Sequence, residues 1–231
     1  MAERVDEDFD FEGSLKPRLP AHLPKIVQLD RLVNRPIASL IVRAALRLKL
    51  RPNHLTVSAF VLGLVGAAFF LGGTARSFVA AGLFIYASTL LDGADGMLAR
   101  SRGMCTRFGA YLDLYLDRIT DFCVLGCMAT GYYLQSGRLG FYIVNLFGLG
   151  AYMLQVLQYY LEREYRGLRS GSGASGDFRG LVYLGILVFS LLNRLDLVIA
   201  ILVCVPVPNM IYRFIRFWII QRPAESRPPA A

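Results

Sequence analysis

The sequence is poor in the residues that cross-link small proteins or bind soft metals. It holds four cysteines and two histidines in 231 residues. Cys123, Cys127 and Cys204 sit inside apolar runs, and Cys105 lies in a short polar connector. Cys123 and Cys127 are one helical turn apart with no histidine beside them. They read as small apolar filler, not as a disulfide or metal site. Charge is also scarce: 18% of residues are charged and 55% are hydrophobic, with a mean hydropathy of +0.46. That balance excludes an ordinary soluble domain of this size and predicts one all-α domain with several membrane spans. The net charge is +8, yet no soluble basic domain is visible, which argues against nucleic acid as a partner. The basic residues cluster between apolar runs, as suits an anionic membrane surface. The opening "MAERVDEDFDFEG" is acidic and lacks the apolar core, about 7–15 residues, of a signal peptide, so none is expected.

The chain divides by composition. Residues 1–28 are polar, acidic and punctuated by proline, and residues 221–231 are similar; both read as flexible cytoplasmic tails. Residues 29–51 predict a basic amphipathic helix lying in the membrane interface. Val33, Ile37, Leu40, Ile41, Ala44 and Leu48 form its apolar stripe. Arg35, Arg43, Arg47 and Arg51 fall on another face, and Pro36 suits a first helical turn. The alternative is a basic face packed on other protein. Residues 52–220 form the membrane domain. A crossing needs about 20 apolar residues, and six are expected near 54–72, 76–99, 108–134, 139–161, 179–193 and 196–219. With the N-terminus inside, the outer connectors carry only Arg76, Arg138 and Arg194 of the 25 basic residues. The positive-inside rule then sets both termini and the 101–107 connector in the cytoplasm.

The richest stretch runs from the cytoplasmic end of the second predicted span into the third. Asp92 and Asp95 are three apart, and Asp113, Asp117 and Asp121 are four apart, so each set shares a helix face. The connector "RSRGMCTR" is short, which makes the two helices antiparallel neighbours with facing acids. Several like charges in one low-dielectric site repel, so something positive must hold them. Arginines could serve. Hard divalent cations suit a nest of carboxylate oxygens better, and two Mg²⁺ or Mn²⁺ ions would offset most of four aspartates and clamp a phosphoryl group. Gly93, Ala94, Gly96, Ala99, Gly103 and Gly109 leave room for a ligand near the backbone; the alternative is small-residue helix packing. The acids could also line an ion or proton pathway, as in a divalent-cation carrier.

The spacing favours the ligand reading. From Asp92 the chain reads D-x2-D-G-x2-A-R-x8-G-x3-D-x3-D, met by Asp92, Asp95, Gly96, Ala99, Arg100, Gly109, Asp113 and Asp117. This pattern resembles the CDP-alcohol phosphotransferase family. "RPNHLT" before the first span resembles that family's Pro-Asn-x-x-Thr segment, and the likeness runs over roughly residues 30–220. The resemblance implies transfer of a substituted phosphoryl group from a CDP-linked lipid or alcohol, often CDP-diacylglycerol, to a polar alcohol acceptor, with release of CMP. It implies that Asp92, Asp95, Asp113 and Asp117 hold two divalent cations, Mg²⁺ or Mn²⁺, and that Asp117 is the general base. By the same likeness Asn53, Thr56, Gly96, Ala99, Arg100, Thr106 and Gly109 contact the CDP group. A homodimer in the inner membrane of a prokaryote is also expected.

"TRFGAYLDLYLDRITDF" resembles the phosphatidylinositol-phosphate synthases and the di-myo-inositol-phosphate-type enzymes, whose acceptor is an inositol phosphate. Asp121, outside the core motif, is expected to pair with Arg118 or another arginine. Arg163, Arg179 and Arg216, with Arg166, Arg169 and Arg213, are candidates for an acceptor's phosphate, or they only obey the positive-inside rule. The chain departs from that branch in one place. Where a Lys-Ala-Arg stretch is expected, it reads "YYLEREYRG". Glu162 and Glu164 would weaken binding of a phosphorylated acceptor unless they point away, so glycerol 3-phosphate, serine, inositol or another alcohol stays open. The Gly/Ser-rich "RSGSGASGDF" reads as a mobile loop.

Overall fold

The computed structural model describes residues 25–165 and 179–225. Among them are eight helices and no strands: α1 Lys25–Arg47, α2 Pro52–Phe70, α3 Ala75–Ser101, α4 Arg107–Ser136, α5 Leu139–Tyr165, α6 Arg179–Leu191, α7 Leu195–Cys204 and α8 Pro206–Glu225. Residues 25–28 and 221–225, expected in the tails, are helical. The rest of both predicted tails and the Gly/Ser-rich segment lie outside the described residues.

Local sequence accounts for the helix ends. Pro52 takes the first turn of α2, where a missing N–H costs nothing. Thr74 and Ser77 form a reciprocal capping box at the start of α3. Gly137 closes α4 at φ 67°, a left-handed conformation that favours glycine. Pro206 separates α7 from α8, because it has no N–H to continue the ladder.

One expectation for α1 needs correction. Pro36 lies inside the helix, not in its first turn, because the helix begins at Lys25. The stripe that packs on protein is Ala38, Val42 and Ala45, seated against Leu55, Ala94 and Leu98 of α2 and α3. Of the predicted stripe, Ile41 packs beside this cluster, and Ile37, Leu40 and Leu48 are exposed, with Leu48 at 70%. Arg43, Arg47 and Arg51 are exposed too, so this basic face is not packed on the described protein. Arg102, from the α3–α4 connector, donates to the carbonyls of Leu50 at 3.1 Å and Leu46 at 3.4 Å, satisfying the open end of α1.

The bundle is held by small residues on α2, α3 and α4. A Cβ on Gly66 would stand 2.7 Å from Ile85, and one on Gly131 would stand 2.0 Å from the Phe70 carbonyl oxygen. Such backbone approach is how helices associate where burial from water supplies no drive. The main core gathers Phe70, Phe78, Ile85, Val124, Met128, Ile186 and Ile199, with Cys123 and Cys127 packed against it. All four cysteines are free.

Four segments are long and apolar enough to cross a bilayer: Pro52–Phe70, Ala75–Ser101, Leu139–Glu162 and Leu195–Ile219. The other two expected spans differ for identifiable reasons. α4 has 30 residues, about 45 Å at 1.5 Å per residue, but carries Asp113, Asp117, Arg118 and Asp121. α6 is apolar only over Val182–Leu191. The last crossing is two helices, α7 and α8, rather than one.

Candidate active site

The short α3–α4 connector sets α3 and α4 side by side with their acidic faces together. Ligand oxygens of Asp92, Asp95 and Asp113 lie within 4.8 Å of one another. Asp95 is buried, at 6% exposure. Its Oδ2 accepts a hydrogen bond from the Thr56 hydroxyl at 2.5 Å, so α2 also holds the cluster. Thr56 therefore touches a carboxylate, and its expected place near a nucleotide is as a neighbour of that carboxylate. Asp117, one turn after Asp113, lies outside this trio. It lines a small, partly open cleft together with Asp92, Thr56, Ser88 and Thr120, between α2, α3 and α4. The donor set is hard oxygen, close-set and partly dry. That chemistry fits Mg²⁺ or Mn²⁺, which would offset the repulsion of three close carboxylates.

The expected CDP-contacting residues rim the same end. Arg100 is exposed, and its guanidinium lies over Gly96, where an added Cβ would meet Nη1 at 3.3 Å. A Cβ on Gly109 would meet Thr106 Oγ1 at 3.0 Å and Asn53 Oδ1 at 3.5 Å, so Asn53, Thr106 and Gly109 converge. Thr106 has a structural task as well: as N-cap of α4 it accepts from the Gly109 N–H at 2.9 Å. Ala99 is half-buried, and nothing lies within 4 Å of where a Gly93 Cβ would stand. The small residues thus serve both readings: Gly93 borders open space, whereas Gly96 and Gly109 seat Arg100 and Asn53.

Asp121 pairs with Arg118 at 3.2 Å, as expected. Arg118 also stands 4.0 Å from Asp117. Asp121 is almost wholly buried, at 1% exposure. Its other partners were not foreseen: Tyr152 of α5 donates to Oδ2 at 3.0 Å, and Tyr183 of α6 donates to Oδ1. A buried carboxylate requires donors, which signals that partners exist. The sequence separations of 31 and 62 residues hide which ones.

The acceptor-site expectations divide. Arg166 and Arg169 lie outside the described residues, and the side chains of Arg163 and Arg179 are outside the description too. Arg216 is exposed on α8. Arg213 is engaged: it pairs with Glu162 at 2.9 Å and stacks 5.4 Å from the centre of the Tyr159 ring. Glu162 therefore does not point away from the basic residues of α8.

A four-helix membrane core carrying this carboxylate cluster, with the D-x2-D-G-x2-A-R motif along it, places the chain in a defined class. It belongs to the CDP-alcohol phosphatidyltransferase family, which residues 49–206 match, more than half of the chain. It is an integral membrane protein. It is 31% identical over 180 residues to the bifunctional IPC transferase and DIPP synthase of Archaeoglobus fulgidus, covering 73% of this chain and 33% of that protein. It is 30% identical over 132 residues to the archaetidylinositol phosphate synthase of Pyrococcus horikoshii, covering 57% of this chain and 61% of that protein. The crystal structure of Mycobacterium tuberculosis phosphatidylinositol phosphate synthase with CDP-DAG bound is similar at TM-score 0.63 and 26% identity, over 79% of this chain and 94% of that one. The same protein in complex with manganese and citrate gives TM-score 0.63 at 26% identity, over 78% and 88%. The chain spans a third or less of the length of the bifunctional relatives it matches.

Proposed function

We propose that this chain transfers a phosphatidyl-type group from a CDP-linked lipid to the hydroxyl of a polar alcohol, releasing CMP. The observation that carries the reading is the convergence of Asp92, Asp95 and Asp113 within 4.8 Å, with Asp117 on the wall of the adjoining pocket. Asp92, Asp95, Asp113 and Asp117 would hold two divalent cations, Mg²⁺ or Mn²⁺. Bound there, the ions supply positive charge to the pyrophosphate as negative charge develops on it. Manganese in the similar mycobacterial structure supports that assignment.

The chain's own groups divide the remaining work. Arg100, exposed above Gly96, binds the donor's pyrophosphate. Asn53, Thr106 and Gly109 form the rim against which the cytidine rests, and Ala99 leaves space for it. Asp117 takes the proton from the acceptor hydroxyl. The acceptor oxygen then bonds to the phosphorus next to the lipid, and the bond from that phosphorus to the CMP oxygen breaks. A base at this position contributes about 10²–10⁴ in rate. CDP-DAG in the mycobacterial structure supports a CDP-diacylglycerol-type donor, whose acyl chains would stay in the bilayer between helices.

The site faces the cytoplasm in this reading. Six crossings, α4 and α6 included, leave Arg76, Arg138 and Arg194 alone on the outside. α1 lies along the interface, with Arg43 and Arg47 toward anionic headgroups and Ile37, Leu40 and Leu48 toward the acyl boundary. The relatives are bacterial and archaeal, which supports a prokaryotic inner membrane.

The test is CMP release by the purified chain with CDP-diacylglycerol and Mg²⁺, across alcohol acceptors. Release that depends on one acceptor establishes the activity. Absence of both release and CDP binding removes it and returns the acids to a cation pathway.

A further inference from the structure

Glu162 and Arg213 stand at the depth of the carboxylate cluster. α4 and α5 are antiparallel neighbours joined by the Tyr152–Asp121 hydrogen bond. From Asp121 back to Asp113 is eight residues, about 12 Å of helix, and from Tyr152 on to Glu162 is ten residues, about 15 Å toward the same end. α8 packs on α5 there: Gln158 Nε2 donates to the Met210 carbonyl at 3.4 Å, and Arg213 bonds Glu162 at 2.9 Å. A molecule approaching Asp117 beside α5 and α8 meets this wall.

The pair itself adds no net charge to this wall. The pair is largely buried, with side-chain exposures of 14% for Glu162 and 27% for Arg213. Arg213 is therefore held by a tethered carboxylate at short range. A phosphomonoester, with a charge of about −1.5 to −2, would have to take Arg213 from Glu162 and then sit beside that carboxylate. Among the described residues, the wall also holds acceptors that lack a donor. Glu162 Oε1 and Gln158 Oε1, one turn apart on α5, are buried acceptors with no hydrogen-bond partner. A phosphate dianion has no proton to offer them, whereas a hydroxyl or ammonium group does.

We propose that Glu162, through its pair with Arg213, selects an acceptor alcohol that bears no phosphate, such as a polyol or amino alcohol. This rests on the transferase reading above. It separates the chain from relatives whose names specify an inositol phosphate product.

The experiment compares matched acceptors with the purified full chain, CDP-diacylglycerol and Mg²⁺: inositol against inositol 1-phosphate, and glycerol against glycerol 3-phosphate, with serine added. The expected result is CMP release at least tenfold faster with an unphosphorylated acceptor than with its phosphorylated counterpart. Glu162→Gln should shrink that ratio at least tenfold. Should that variant fail to fold, the double variant Glu162→Gln with Arg213→Gln removes both charges together and must lose the same discrimination. A phosphorylated acceptor used as fast or within tenfold, or a ratio unchanged in the variants, overturns the proposal. Absence of CMP release with every acceptor also overturns it, and Mg²⁺-dependent CDP binding then tells the two readings apart. Retained binding leaves the transferase assignment standing, and lost binding removes both.

Discussion

Arg118 lies 3.2 Å from Asp121, one helical turn further along α4, and reaches back to within 4.0 Å of Asp117. The same Asp121 receives Tyr152 and Tyr183, so α4, α5 and α6 meet at one buried carboxylate. Asp121→Ala removes the shared acceptor of three donors and leaves Arg118 without it. The expected cost is about 3–5 kcal/mol, and Tyr183→Phe should cost about 1–3 kcal/mol. Thermal unfolding in detergent reads both. Wild-type melting in Asp121→Ala would show that the network adds no stability.

Asp117 borders the pocket without joining the tight trio, as suits a group that must exchange a proton. Asp117→Asn should lower turnover by about 10²–10⁴ while the donor still binds. CDP titration beside CMP release separates the two effects. Near-normal turnover would take the base role from Asp117.

Chelation tests the carboxylate cluster directly. EDTA should stop CMP release, and added Mg²⁺ or Mn²⁺ should restore it. Removing the ions should also lower the melting temperature, because Asp92, Asp95 and Asp113 would then repel within 4.8 Å. Unchanged activity and melting after thorough chelation would contradict the metal assignment.

Cys105 is exposed in the connector between α3 and α4, which makes it a native reporter of sidedness. With Cys123, Cys127 and Cys204 replaced by serine, an impermeant maleimide should label Cys105 from the cytoplasmic side only. Labelling from the outside would invert the topology.

Gly131 and Gly126 share α4 but meet different surroundings. A Cβ at Gly131 would lie 2.0 Å from the Phe70 carbonyl oxygen, and at Gly126 nothing lies within 4 Å. Gly131→Ala should destabilise by about 1–3 kcal/mol through backbone displacement. Gly126→Ala should be neutral or stabilising by up to about 1 kcal/mol. Equal melting of the two variants would remove the close α2–α4 contact as a source of stability.

The amino-acid order alone determined the helical membrane class and the acidic faces. Apolar run length and the i, i+3 and i, i+4 spacings are local quantities, so Asp92 with Asp95, and Asp113 with Asp117, share faces whatever surrounds them. The short connector "RSRGMCTR" was enough to bring those faces together. Local signals did not show which side of α1 meets protein. Ala38, Val42 and Ala45 pack there with Ile41 beside them, whereas Ile37, Leu40 and Leu48 are exposed, because close helix approach favours small side chains. Only the tertiary structure chose partners across distance: Tyr152 and Tyr183 for Asp121, and Arg213 for Glu162. A buried charge demands a partner, but many residues could meet the demand, and helix packing decides which one stands within reach.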